Sequence, residues 1–227
     1  TQRRAAERVK ASGKKVVDYH SLRAMIWHLK DNEIKQFFFE DEQNDEPIDR
    51  RQLNVTGLVA LTNQTNEVYV QAIAQKNKIA SLRNHLLKAN LDSGAVTLEH
   101  EGDENTIDWI VRPDGQLLAR EDYNNRNNTY RIVSEQDGTK SDRLKLNDAK
   151  RPPFLLVGAH SDRESLVILA GNEFDYLAVL KSDGSTADPL LQEDGKDIDY
   201  VFVDRNRVVQ GVKYSGVSPS YQFFDTA

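Results

Sequence analysis

Short apolar runs broken by turn residues fill most of the chain. One group reads TIDWIV (106–111), QLLARED (116–122), NTYRIVSEQ (128–136) and RLKL (143–146). The next reads FLLVGAH (154–160), SLVILA (165–170), YLAVLKS (176–182) and PLLQE (189–193). Runs this short, rich in branched and aromatic residues, predict strands. Alternation places Ile107, Trp109 and Val111 on one face of the first strand and Asp108 on the other. Leu166 to Ala170 does not alternate, which predicts a strand covered on both faces. Pro113-Asp114-Gly115 suits a tight hairpin turn. Helical spacing occurs at Ile79, Leu82, Leu86 and Leu87. A strand over His85–Leu91 is preferred there, because Ser93-Gly94 then falls where the neighbouring units turn.

The runs repeat. Ile107-Asp108-Trp109-Ile110-Val111 matches Ile198-Asp199-Tyr200-Val201-Phe202 without a gap at an offset of 91. The same offset pairs Leu117-Leu118 with Val208-Val209, Tyr123 with Tyr214, and Tyr130 with Tyr221. The turn pairs Ser93-Gly94, Asp137-Gly138 and Asp183-Gly184 carry glycines 44 and 46 residues apart. The offset is therefore two units of about 45 residues, the length of one four-stranded propeller blade. The expected fold is all-β: β-propeller blades of four antiparallel strands, near 15–52, 55–101, 105–147, 154–192 and 198–225. Residues 1–14 are expected to be a linker or a disordered segment. The last unit holds about three strands, so the chain is expected to be part of a larger propeller, with open blade edges free to self-associate. Trp109 and Tyr200 fall on equivalent positions and are both expected to be buried. Phe37-Phe38-Phe39 must point to both faces of one strand, and an exposed Phe38 would mark a contact surface.

Composition narrows the function classes. Hydrophobic residues make up 38% and charged residues 29%, with a mean hydropathy of -0.65, which fits half-exposed strands and many turns. A net charge of -6 and a pI near 5.4 argue against nucleic acid as a partner. No apolar run reaches the roughly 18 residues of a membrane helix. The chain starts with TQRRAAERVKAS, without Met or an apolar leader, and so reads as an internal start. Absent cysteines exclude disulfides, thiolate nucleophiles and cysteine zinc sites. They leave cytoplasm and periplasm equally open.

No residues are expected to be catalytic, cofactor-binding or metal-binding. His20, His28, His85, His100 and His160 are not spaced as metal ligands. His160-Ser161-Asp162 are adjacent, whereas a triad needs three residues converging on one point. The acidic stretch Glu40 to Glu46 lacks the D-x-D-x-D-G spacing of a calcium loop and reads as solvated. Arg3, Arg4, Arg8, Lys10, Lys14 and Lys15 make the amino end basic, but without interleaved aromatics. Ser93, Ser182, Ser215 and Ser218 lack the glycines of a G-x-S-x-G elbow.

Residues 105–138, NTIDWIVRPDGQLLAREDYNNRNNTYRIVSEQDG, resemble the propeller of bacterial prolyl oligopeptidase family proteins, of the dipeptidyl-aminopeptidase and acylaminoacyl-peptidase branch. The preceding HLLKANLDSG (85–94) and the later VVQGVKYSGVSPSYQFFD (208–225) resemble that family's strand-and-turn pieces. The resemblance implies a noncatalytic propeller ahead of, or inserted into, an α/β-hydrolase domain that carries the Ser-Asp-His triad. It implies that the propeller limits access of peptides to that domain. The partners implied are therefore the hydrolase domain of the same parent chain and peptide substrates. The rival reading is a stand-alone propeller that docks another protein. An enzyme with its site among the propeller loops is disfavoured by the lack of clustered acid, base or metal residues.

Overall fold

The computed structural model describes residues 25–36, 49–75, 81–136, 138–171, 173–181 and 184–224. Every regular element among them is a strand. Strands β1 (Met25–His28) and β2 (Glu33–Gln36) form a two-stranded sheet. The first four-stranded sheet holds β3 (Asp49–Leu61), β4 (Glu67–Gln75), β5 (Arg83–Asn90) and β6 (Val96–His100). The second holds β7 (Thr106–Val111), β8 (Leu117–Asn124), β9 (Thr129–Gln136) and β10 (Thr139–Leu146). The third holds β11 (Leu155–Ala159), β12 (Leu166–Gly171), β13 (Asp175–Leu180) and β14 (Thr186–Leu191). The last holds β15 (Ile198–Val203), β16 (Val209–Tyr214) and β17 (Ser220–Phe223).

Each of these sheets is antiparallel with its strands in chain order, and the four larger sheets pack face to face in sequence. The chain folds as a β-propeller of four blades with a small additional sheet. The first and second blades meet through Tyr69 and Leu86 against Trp109 and Leu117. The second and third meet through Ile110, Tyr130 and Ile132 against Leu156, Leu166 and Ile168. The third and last meet through Val167 and Leu177 against Val209 and Tyr214. Strand β12 therefore buries Leu166 and Ile168 on one side and Val167 on the other, as its unbroken apolar run requires.

The turn glycines fall where the repeat puts them. Gly94, Gly138 and Gly184 each join the third strand of a blade to the fourth, with φ of 73°, 73° and 81°. Pro113-Asp114-Gly115 makes the β7–β8 turn, closed by the Gly115 amide donating to the Arg112 carbonyl at 2.9 Å. The segment with helical spacing is strand β5 from Arg83 onward.

Two expectations need correction. Trp109 is fully buried, but Tyr200 is 58% exposed. Strand pairing explains why. Thr106 pairs with Asp122 and Ile198 with Tyr214, and a register shift follows each, leading to Asp108–Glu121 and Tyr200–Lys213. The blades thus superpose at an offset of 92, one more than the ungapped sequence match. A slip of one residue moves every side chain to the opposite face. Tyr200 occupies the position of Asp108, and Val201 that of Trp109. The same bulge turns Ile107 away from Trp109 and Val111 and leaves it exposed.

Of the unit expected over 15–52, the described part is the β1–β2 sheet together with the start of β3, which belongs to the first blade. Phe37-Phe38-Phe39, the acidic stretch Glu40 to Glu46 and the basic segment 1–14 lie outside the described residues.

Candidate functional site

The turns between the first and second strands of three blades share one construction. The amides of Arg112, His160 and Asp204 donate to the carbonyls of Gln116, Ser165 and Val208. The amides of Gly115, Arg163 and Arg207 then donate back to the carbonyls of Arg112, His160 and Asp204. This last position is left-handed in all three, with φ of 90°, 59° and 58°. The second blade fills it with glycine, which accepts that conformation freely. Arginine there costs on the order of 1 kcal/mol.

At Arg207 that cost is offset by what the side chain reaches. Its Nη1 donates to both Asp108 carboxylate oxygens, at 2.9 and 2.8 Å, and to the Trp109 carbonyl at 2.9 Å. Its Nη2 donates to the carbonyls of Leu156 and Val157, and Nε donates again to Val157. One guanidinium from the last blade thus ties together the inner strands of the second and third. The approach is close enough that a Cβ on Gly158 would sit 2.0 Å from the Arg207 carbonyl oxygen.

Behind Asp108 lies Glu121, buried at the seam between the second and third blades. The Tyr130 hydroxyl donates to its Oε1 at 2.7 Å. Burial pushes the Glu121 carboxyl from 4.5 up to about 7, with Asp108 and Asp122 adding to the rise and Tyr130 and Arg207 opposing it. The Tyr130 phenol is pushed up by the same burial and by the Glu121 charge. On the other face of β8, Arg120 binds Asp122 at 2.7 Å, and Asp122 accepts the Thr106 hydroxyl at 2.7 Å. Asp108 and Asp122 are thus each paired with an arginine, whereas Glu121 is held by the neutral Tyr130 hydroxyl.

A groove of about 760 Å³ opens along the same seam, at the end that carries the inner turns. Arg112, Gln116, Ser134, Arg143, Glu164, Ser165 and Lys181 are among its lining residues. It offers donors and acceptors along an open trough, at a size typical of binding clefts. A smaller pocket of about 430 Å³ lies at the opposite end of the second blade, between Glu104–Ile107 and Tyr123–Arg126.

The histidines are dispersed. His85 is buried, and its Nδ1 accepts the Gly102 amide at 3.1 Å. His100 stacks on Trp109 with ring centroids 6.2 Å apart. His160 lies in its turn, 3.5 Å from Asp162, whose carboxylate accepts the amides of Glu164 and Ser165. His28 is on β1, and His20 lies outside the described residues. Among the described residues no three His, Asp or Glu side chains gather as a metal site. Ser93 binds the Asn90 side chain in a turn, and Ser215 accepts the Asp197 amide. Sequence reasoning did not reach Arg207, Glu121 or the groove. The groove is assembled from turns and strand ends in two units, and no local motif records that. Arg207 did leave a signal, since the 92-residue alignment sets it opposite Gly115.

No known protein family matches the chain, and no curated protein does. Among solved structures, the chain is similar to an oligogalacturonate lyase from Vibrio parahaemolyticus, at 14% identity and a TM-score of 0.36. The match covers 88% of this chain and 71% of that one.

Proposed function

We propose that this chain is the noncatalytic propeller region of a prolyl-oligopeptidase-like serine peptidase, where it limits which peptides reach a separate α/β-hydrolase domain. The observation that carries this reading is the seam groove, an open polar trough built from main-chain turns and from Arg, Ser, Gln and Glu side chains. Such a lining satisfies the amides and carbonyls of an extended peptide with little demand on its sequence. The resemblance of residues 105–138 and 208–225 supports it, because these stretches supply three strands of the second blade and strands β16 and β17 of the last. Treatment of the purified chain with a fluorophosphonate and with chromogenic aminoacyl substrates tests the noncatalytic part. No serine should be labelled and no substrate turned over. A labelled serine accompanied by turnover would end this reading.

A second reading, a stand-alone scaffold that docks another protein, is favoured by one observation. The last blade exposes Tyr200, Tyr221 and Phe223 by 58%, 58% and 55%. Phe202 joins them, with ring centroids 5.0 Å from Tyr200 and 5.1 Å from Phe223. Exposed aromatic clusters of this kind mark contact surfaces.

A further inference from the structure

Arg143 sits on β10, and its side chain crosses the seam to the third blade. Its Nη2 donates to the Leu180 carbonyl at 2.7 Å and its Nε to the Lys181 carbonyl at 3.2 Å. These acceptors are neutral. Among the described residues no carboxylate lies within ion-pair distance of Arg143 or of Lys181. The acids nearby are differently placed. Asp142 is bound by Arg131 across the β9–β10 pair. Glu135 faces His100 and Lys140, at 3.8 and 4.0 Å. Asp162 acts on Arg143 from across the seam, but its oxygens accept the Glu164 and Ser165 amides and the Ser165 hydroxyl. Arg112 lies 3.6 Å from Asp114. Glu164 is the lining acid without an ion pair among the described residues. Among the described residues the groove lining therefore holds two cations without an ion-pair partner, Arg143 and the exposed Lys181, beside Ser134, Ser141 and Ser165.

We propose that Arg143 and Lys181 form a seat for a carboxylate of a peptide lying in this groove, either its free carboxyl terminus or an Asp or Glu side chain. The inference rests on the peptide-groove reading above. Arg143 is held by two main-chain carbonyls, so its charge is positioned before any ligand arrives. A carboxylate gains a charge-assisted bond there without displacing an existing partner. Lys181 supplies a second, flexible cation, and Glu164 sets a limit on how much negative charge the trough accepts.

Isothermal titration with four versions of one unstructured octapeptide tests this. The versions carry a free or amidated carboxyl terminus, each with an internal Glu or Gln. The expected result is that at least one carboxylate-bearing version binds about tenfold more tightly than the doubly neutral one, and the arm that does so identifies the source. Added salt should erase the difference. Lys181→Glu, an exposed change, should also erase it, and Glu164→Gln should widen it. Equal binding of all four versions would overturn the carboxylate seat and leave the groove reading intact. Absence of binding by any version would overturn both. Retention of the preference in both Lys181→Glu and Arg143→Gln would place the seat elsewhere and overturn this assignment.

Discussion

The Arg207 guanidinium grips the Asp108 carboxylate from 99 residues away, with the inner strand β11 of the intervening blade lying between their two blades. Four further hydrogen bonds from the same group run to carbonyls of β7 and β11. The contact makes three blades one mechanical unit and explains why a left-handed arginine persists where the second blade uses glycine.

Arg207→Ala should therefore destabilise the chain by about 3 kcal/mol, since it leaves a half-buried Asp108 uncompensated and several carbonyls without donors. Arg207→Gly relieves the left-handed strain and should recover roughly 1 kcal/mol of that loss. Urea melts of both variants, together with Asp108→Asn and the Arg207→Ala/Asp108→Asn double variant, measure the coupling. Strict additivity would show that the pair contributes nothing.

The two residues that the sequence repeat made equivalent should behave differently. Trp109→Ala removes a fully buried side chain and should cost about 3–5 kcal/mol. Tyr200→Ala, on an exposed face, should stay within about 0.5 kcal/mol of the wild type. Comparable losses in denaturant melts would refute the 92-residue register.

That register shows where sequence reading succeeds and where it stops. Period-two runs and glycines such as Gly94 and Gly138 announce strands and turns, because alternation and left-handed φ are local demands on composition. The bulge between Thr106 and Asp108 is a property of pairing with β8. It leaves no mark in a run of apolar letters, so the ungapped offset of 91 misplaced Tyr200 by one position. Arg207 and Arg143 escaped notice for a related reason. Their partners lie on other blades, and each residue alone looks like an ordinary turn or edge cation. The groove shares this origin, since two blades must stack before it exists.

Stability should fall as the pH rises through the range set by Glu121. Its folded value, about 7, lies above the usual 4.5, so between these values the folded chain holds a proton that the unfolded chain has lost. The penalty is absent below pH 4.5, grows up to about pH 7 and is then constant, reaching on the order of 3 kcal/mol. Glu121→Gln still accepts the Tyr130 hydroxyl but cannot ionise, and its stability should lack this slope. Thermal melts from pH 4 to 8 check it. Parallel curves for the two proteins would show that Glu121 does not titrate in this window.

Strand β17 pairs with β16 on one side, and its outer edge has no partner among the described residues. An unpaired edge beside exposed Tyr221 and Phe223 is a template for another strand. Light scattering should show concentration-dependent self-association, and Phe223→Asp should reduce it. A strict monomer throughout the series would show that the edge is closed in solution.

The proposal that this propeller holds peptides without cutting them is tested most directly by following the fluorescence anisotropy of a labelled, unstructured peptide mixed with the chain for several hours. The expected result is a saturable rise that then holds steady, and that is smaller in variants with altered charge in the Arg143–Lys181 groove. An anisotropy that never rises, or one that rises and then decays below the free-peptide value as the label is released on a shorter fragment, would contradict it.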